Sequence, residues 1–316
     1  MRTNLLALGL SLITAAGLNA GPLAREQVDG ASKWLLHLDL ENLRTTKIGE
    51  FLGKQVLDKK LSKPAADLKS QFGFDLDWRR ISSITAYGTD YQGPNEPRGV
   101  LLVQTDLEVR KALDGIIEKL SAAGAGDQCP VKRVQDDPQA TYAIHNQVFV
   151  GFEAGKPIIV SKSREFLEHA RAVLSGERPS LKTSQSFSSF PAFTNGFFFL
   201  AAAQGFSEAT QLPPQAKVLQ MAEALRLALG ESGDNLALNL MLKAKDPEVS
   251  QKIQQVLQGV TALVALGQVE NQDLQELVKS IQVGASENMV SLKIQYPIAS
   301  AIQKIKQNKD FTSEDN

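Results

Sequence analysis

The sequence predicts an α+β fold of two sequence-related halves, each a mainly antiparallel sheet with helices packed on one face. Three observations carry this expectation. The strand-to-helix stretch Gly99–Leu120 recurs without gaps about 140 positions later, so that Asp106-Leu107-Glu108-Val109 meets Asp246-Pro247-Glu248-Val249. Short alternating runs are separated by hairpin-forming turns such as His145-Asn146 and Ser232-Gly233-Asp234-Asn235. The recurring helix also cannot stand alone. Five or six buried aliphatics contribute on the order of 10 kcal/mol, against about 15–30 kcal/mol for ordering some 15 residues, so its stripe must lie on a sheet.

Within the recurrence, Val109, Leu113, Ile116, Ile117 and Leu120 fall on Val249, Ile253, Val256, Leu257 and Val260. That is the stripe of a helix with one buried face, and the alignment predicts equal burial of both copies, Ile116 alongside Val256. Thr105 with Glu108 reads as a capping box, and Asp246 before Pro247 as an N-cap with proline in the first turn.

Taken in order, residues 1–20 combine Arg2, an apolar run over Leu5–Ala16 and a small residue at Ala20, the pattern of a secretory signal peptide. The mature chain then begins near Gly21 in the periplasm or outside the cell, and the apolar run is too short to span a membrane. Residues 21–185 form the first repeat. Trp34, Leu36, Leu38 and Leu40 alternate with Leu35, His37 and Asp39, a strand whose second set faces water. Glu41–Leu57 and Ala65–Phe72 have helical spacing, Ile81–Tyr87 and Arg98–Gln104 are strands, and Ala140–His145, Gln147–Glu153 and Pro157–Ser161 form a meander before a helix opened by Ser163. The Ser-, Pro- and Thr-rich stretch Gly176–Phe193 is a linker.

Residues 186–307 form the second repeat. Gly196–Ala203 is a strand, Gln215–Ala224 a helix, Leu225–Leu229 and Leu236–Ala244 a strand pair, and Ser280–Ala285 with Met289–Tyr296 a closing hairpin before a helix at Pro297. Residues 308–316 are polar and read as a disordered tail. The strand Trp34–Asp39, the meander and helix Pro157–Leu174 and the Asp246-Pro247-Glu248 helix start resemble the duplicated α+β modules of exported bacterial proteins that open with a W-L-x-H-x-D-like strand. The resemblance implies export and no assigned reaction, and it supplies no active site.

Composition narrows the function classes. The chain has 316 residues, 43% hydrophobic and 22% charged, with a net charge of −1. Without a basic stripe it does not read as a nucleic-acid binder. One cysteine, Cys129, excludes an intrachain disulfide, and no Asn-x-Ser/Thr sequon occurs, which fits bacterial export. HExxH, CxxC, P-loop, GxSxG and SxxK patterns are absent, and nothing calls for a cofactor or metal.

Two candidate sites remain. His37 and Asp39 point the same way from one strand, half of a catalytic or metal-binding arrangement, but the preferred reading is that Asp39 caps the following helix and His37 sits on a wetted sheet face. Phe187, Phe190, Phe193, Phe197, Phe198, Phe199 and Phe206 place seven of fourteen phenylalanines within twenty positions. Phe197, Phe198, Phe199 and Phe206 are candidate ligand-binding residues, but the non-alternating run reads first as a central strand sealing the two halves. The leading expectation is an exported, non-catalytic binding or scaffolding protein of the bacterial envelope, with an unidentified envelope protein as partner. A carrier of an acyl chain or lipid along Phe187–Phe206 comes second, and a hydrolase around His37 and Asp39 third.

Overall fold

A computed structural model describes residues 23–91, 99–124, 129–135, 137, 141–188, 190, 196–205, 221–267 and 272–307. The leader, Phe193, Phe206, positions 215–220 of the expected helix and the 308–316 tail lie outside the described residues.

The first strands are β1 (Trp34–Asp39), β2 (Ile81–Gly88), β3 (Val100–Thr105), β4 (Val131–Arg133), β5 (Thr141–Ile144), β6 (Val148–Gly151) and β7 (Ile158–Ser161). The later ones are β8 (Phe197–Gln204), β9 (Ala222–Ser232), β10 (Asn235–Ala244), β11 (Gln282–Ser286) and β12 (Met289–Pro297). Together they make one twelve-stranded sheet in the order β11-β12-β10-β9-β8-β1-β2-β3-β7-β6-β5-β4. Every neighbouring pair is antiparallel. β8 sits between β1 and β9, and its pairing with β1 joins the two sides into a single sheet. Outward from that seam, one side runs β1-β2-β3-β7-β6-β5-β4 and the other β8-β9-β10-β12-β11, so the first five strands of each side follow a similar order.

Tight turns set these pairings. His145 (φ 51°) and Asn146 (φ 56°) link β5 to β6, and Gly233 (φ 62°) lies between β9 and β10. Positive φ at such positions matches the twist of the flanking strands.

The helices are α1 (Leu40–Arg44), α2 (Lys47–Leu52), α3 (Asp58–Phe72), α4 (Val109–Ala122), α5 (Arg164–Ser175), α6 (Pro247–Gly267), α7 (Gln272–Lys279) and α8 (Ile298–Gln307). They cover both faces of the sheet, not one. On one face, Leu167, Ala170 and Leu174 of α5 pack with Leu35, Tyr87, Leu102, Ile159 and Leu200, joined by Leu181, Phe187 and Phe190 of the connecting segment. On the other face α4 packs over Val150, Ile158 and Val160. There too, Ile253 of α6 packs with Leu242 and Val290, and α1, α2 and α8 gather on Leu38, Ile84, Phe198 and Phe199.

Several expectations need correction. Ala222–Ala224 opens β9 and is not the end of a helix. Pro64 lies inside α3 instead of preceding a helix. Thr105 forms no capping box: its hydroxyl accepts from the Leu107 N–H at 3.1 Å and donates to the Arg80 carbonyl at 2.8 Å. By contrast, Asp246 does cap α6, accepting from the Val249 N–H at 2.8 Å.

The two copies of the recurring helix are unequally buried. Ile116 is half-buried under α4's own sheet, but Val256 is 45% exposed, Val260 53% and Leu263 70%. Among the described side chains of α6, those of the first turns, Val249, Ile253 and Leu257, seat on strands.

Candidate apolar ligand trough

The strand register builds the site. Leu36 of β1 stands beside Ala86 of β2, which stands beside Leu101 of β3. On its other side Leu36 meets Ala201 of β8, then Leu227 of β9 and Leu240 of β10. Six apolar residues on six adjacent strands therefore form one row across the sheet. Five inter-strand spacings make it about 24 Å long.

Helices flank this row and reach it at the β10 end, where Leu240 packs in the α6 cluster. Two residues further along β1, the Leu38–Ile84–Phe199–Leu229 row is covered by α1, α2 and α8. In the other direction Ala203 and Leu225 pack under α6. At the β3 end, Val160 beside Leu101 lies under α4. Between them Leu36 remains 43% exposed at the centre of the sheet, and Ala86, Leu101, Ala201 and Leu227 are half-buried. Ala86 and Ala201 are the small residues on either side of Leu36, so the floor is lowest there. A contiguous apolar patch, and not one exposed leucine, is the informative exception to burial, and Leu36 is joined in its row by half-buried Ala86, Leu101, Ala201 and Leu227. The row itself carries no charge and no hydrogen-bonding side chain.

The residues singled out in the sequence lie elsewhere. His37 and Asp39 were expected on a wetted face, but both are only 6% exposed. Alternation gives the period of a strand and not which set is covered. Here the Leu35, His37 and Asp39 set lies on the face covered by α5, and Leu36 faces the trough. His37 Nδ1 is 2.9 Å from Thr85 Oγ1. Asp39 Oδ1 accepts from the Asn42 N–H at 2.9 Å and caps α1.

The phenylalanines divide between the faces. Phe187 and Phe190 belong to the core under α5, whereas Phe198 and Phe199 pack with α1, α2 and α8. The register slips between Phe197 and Phe199, and a bulge of this kind turns consecutive side chains toward one side. Phe190 also lies under the Arg226 guanidinium, 5.6 Å from ring centre. Burial makes that guanidinium easier to deprotonate than usual.

The other polar clusters are bound up in the fold. Arg171 of α5, 3% exposed, meets Glu168 at 2.9 Å, Asp137 at 3.3 Å and Glu153 at 3.7 Å. Tyr142 donates to Asp114 at 2.5 Å, and Arg133 donates to the same oxygen at 2.7 Å. Burial opposes ionisation of Asp114, but the hydrogen bonds from Tyr142 and Arg133 outweigh it and hold the carboxyl below its ordinary value. Burial, aided by the charge of Asp29, pushes the Tyr87 phenol well above its usual value, which removes it as an acid–base group at neutral pH. Glu231 accepts from the Lys47 and Ile48 N–H groups at 3.0 and 2.7 Å and ties β9 to the start of α2. Beside it lies a polar groove of about 380 Å³ lined by Phe197, Asn239, Gln282, Lys293 and Gln295 among others. Its polar lining combines amides, the Ser232 and Ser280 residues, Lys293 and Glu231 itself. No three His, Cys, Asp or Glu side chains among the described residues are placed to share a metal ion, and none of the described helices is long and apolar enough to cross a membrane.

Sequence reasoning passed over the trough because its residues are unremarkable singly. Ala86, Leu36 and Ala201 become one surface only once the β2-β1-β8 register is known. No protein-family model and no curated protein sequence matches the chain. Among solved structures it is similar to TP0453. Crystal form III aligns with a TM-score of 0.47 and 11% identity over 91% of this chain and 99% of that one. Crystal form I gives 0.46 and 9% over 91% and 98%, and crystal form IV 0.43 and 10% over 89% and 95%.

Proposed function

We propose that the chain is an exported, non-catalytic binding protein of the bacterial envelope, built from two copies of one α+β unit, whose ligand is an acyl chain or a comparably flexible apolar molecule. The observation that supports this reading is the exposed Leu36 at the centre of an uncharged row that crosses six strands. The site differs from the one expected from the phenylalanines, of which Phe187 and Phe190 lie in one core and Phe198 and Phe199 in another. About ten methylenes seated on the row would contribute on the order of 8 kcal/mol before the costs of association. The similar strand order on either side of the β1–β8 seam supports descent of the two sides from one unit. Export rests on the pattern of residues 1–20.

A fluorescent fatty-acid analogue tests the reading. Wild type should take it up saturably, and Ala201→Trp, which fills the floor, should reduce uptake at least tenfold with an unchanged circular-dichroism melt. Leu36→Glu should do the same by placing a charge on the floor. Wild type that takes up no analogue, or an Ala201→Trp variant that binds as well as wild type, would refute it. Extraction of lipids from protein purified without detergent then identifies the natural occupant.

A further inference from the structure

The two ends of the sheet are built differently. At one end, β4 is three residues long and presents exposed Lys132 and Arg133. Short, cationic edge strands resist pairing with another chain. At the other end, β11 has the sequence Gln282-Val283-Gly284-Ala285-Ser286, with neither charge nor proline. Its only strand partner among the described residues is β12, and Gln282, Ala285 and Ser286 are exposed. Alternate residues of such a strand direct backbone N–H and C=O groups outward.

A second surface adjoins this edge. Val283 packs in the cluster formed by Ile253 and Leu257 of α6. The same helix then presents Val256, Val260 and Leu263, at 45%, 53% and 70% exposure. These three lie at i, i+4 and i+7 and form one stripe. They belong to a different part of the molecule from the trough, and the inference does not depend on the trough holding a ligand.

We propose that β11 pairs antiparallel with β11 of a second copy, about a twofold axis at Gly284, and that the α6 stripes of the two copies close the seam. The occupant follows from self-complementarity. A twofold contact brings every residue against a copy of its own strand. At β4 an axis at the middle residue would set Lys132 against its own copy, which is destabilising. At β11 it sets Gln282 opposite Ser286, Val283 opposite Ala285 and Gly284 opposite itself, with no charge anywhere. Five-residue strands alone fall short of the roughly 1,200 Å² buried by stable interfaces, and the exposed α6 stripe supplies the apolar area that is missing.

Sedimentation equilibrium of the purified full chain, 34.3 kDa as a monomer, tests the proposal. Wild type should sediment at twice that mass. Ala285→Lys and Leu263→Lys, both at exposed positions, should each return it to the monomer mass, and Lys132→Ala should change nothing. Hydrogen exchange on unmodified protein gives an independent readout: β11 amides should lose protection on dilution while those of β4 do not. Four outcomes would each overturn the proposal: a wild type that stays monomeric at millimolar concentration, a dimer that survives either lysine, β11 protection that is independent of concentration, or a monomer whose α6 stripe instead carries it onto phospholipid vesicles.

Discussion

Ile253→Ala and Val260→Ala lie seven residues apart on one helix and should differ in cost by several kcal/mol. Ile253 is fully buried among Ala222, Leu242, Ala244 and Val290. Truncating it loses transfer free energy and leaves a cavity between an α6 turn and two strands, at a cost of about 2–5 kcal/mol. Val260 is 53% exposed. Truncating it forfeits about half the value of two methyl groups, under roughly 0.8 kcal/mol, and alanine's higher helix propensity returns about 0.5 kcal/mol. The net change is near zero. Urea unfolding checks this, provided the slope is unchanged so that midpoints can be compared. Low protein concentration keeps self-association out of the measurement. A Val260→Ala cost above about 1.5 kcal/mol would show that the second half of α6 rests on the sheet, and so would refute the assignment of its stripe as exposed.

The other predictions concern the core, the caps and pH. Phe198→Ala, at a site 6% exposed under α1 and α8, should cost about 3–5 kcal/mol in the same urea assay, and a midpoint within error of wild type would mean that the strand is not sealed there. Asp39→Ala removes the cap on the Asn42 N–H and should cost about 1 kcal/mol, whereas Asp39→Asn should recover most of it. Arg171→Met leaves Asp137, Glu153 and Glu168 without their shared cation and should destabilise by about 3–5 kcal/mol; a neutral result would show that the cluster is solvated. Asp114 has a folded-state pKa below its unfolded value. Its contribution is therefore present above the ordinary aspartate range and is lost as pH falls through the lowered value. Thermal melts between pH 6 and pH 2 should fall less steeply in Asp114→Asn than in wild type.

Much of the fold was legible because it is local. Gly233 and the His145-Asn146 pair fix their hairpins by backbone preference alone, and Asp246-Pro247 marks a helix start wherever it occurs. β4 went unread because three residues give no alternation to detect. The faces of β1 escape the sequence for a different reason: Trp34–Asp39 alternates cleanly, but only α5 and the segment around Leu181 determine that the Leu35 and His37 side is covered while Leu36 stays exposed. Val256 and Val260 misled similarly, since an apolar stripe looks the same whether the sheet beneath it continues or stops. The trough is the extreme case. It is a property of register between residues as far apart as Leu36 and Ala201, and no window along the chain contains it.

The seam between β1 and β8 bears on how the molecule forms in time. Trp34 must find Ala203, 169 positions away, whereas β9 and β10, or β5 and β6, close over two or three intervening residues. Loop-closure entropy grows with the logarithm of that separation, and sheets dominated by distant pairings fold slowly. The hairpins on each side are complete long before the middle is. During that interval β1 and β8 are two bare edges rich in leucine, phenylalanine and alanine, open to any other extended chain nearby. The strands that end most deeply enclosed are thus the last to be protected, and the chain is most vulnerable to misassembly at what becomes its centre.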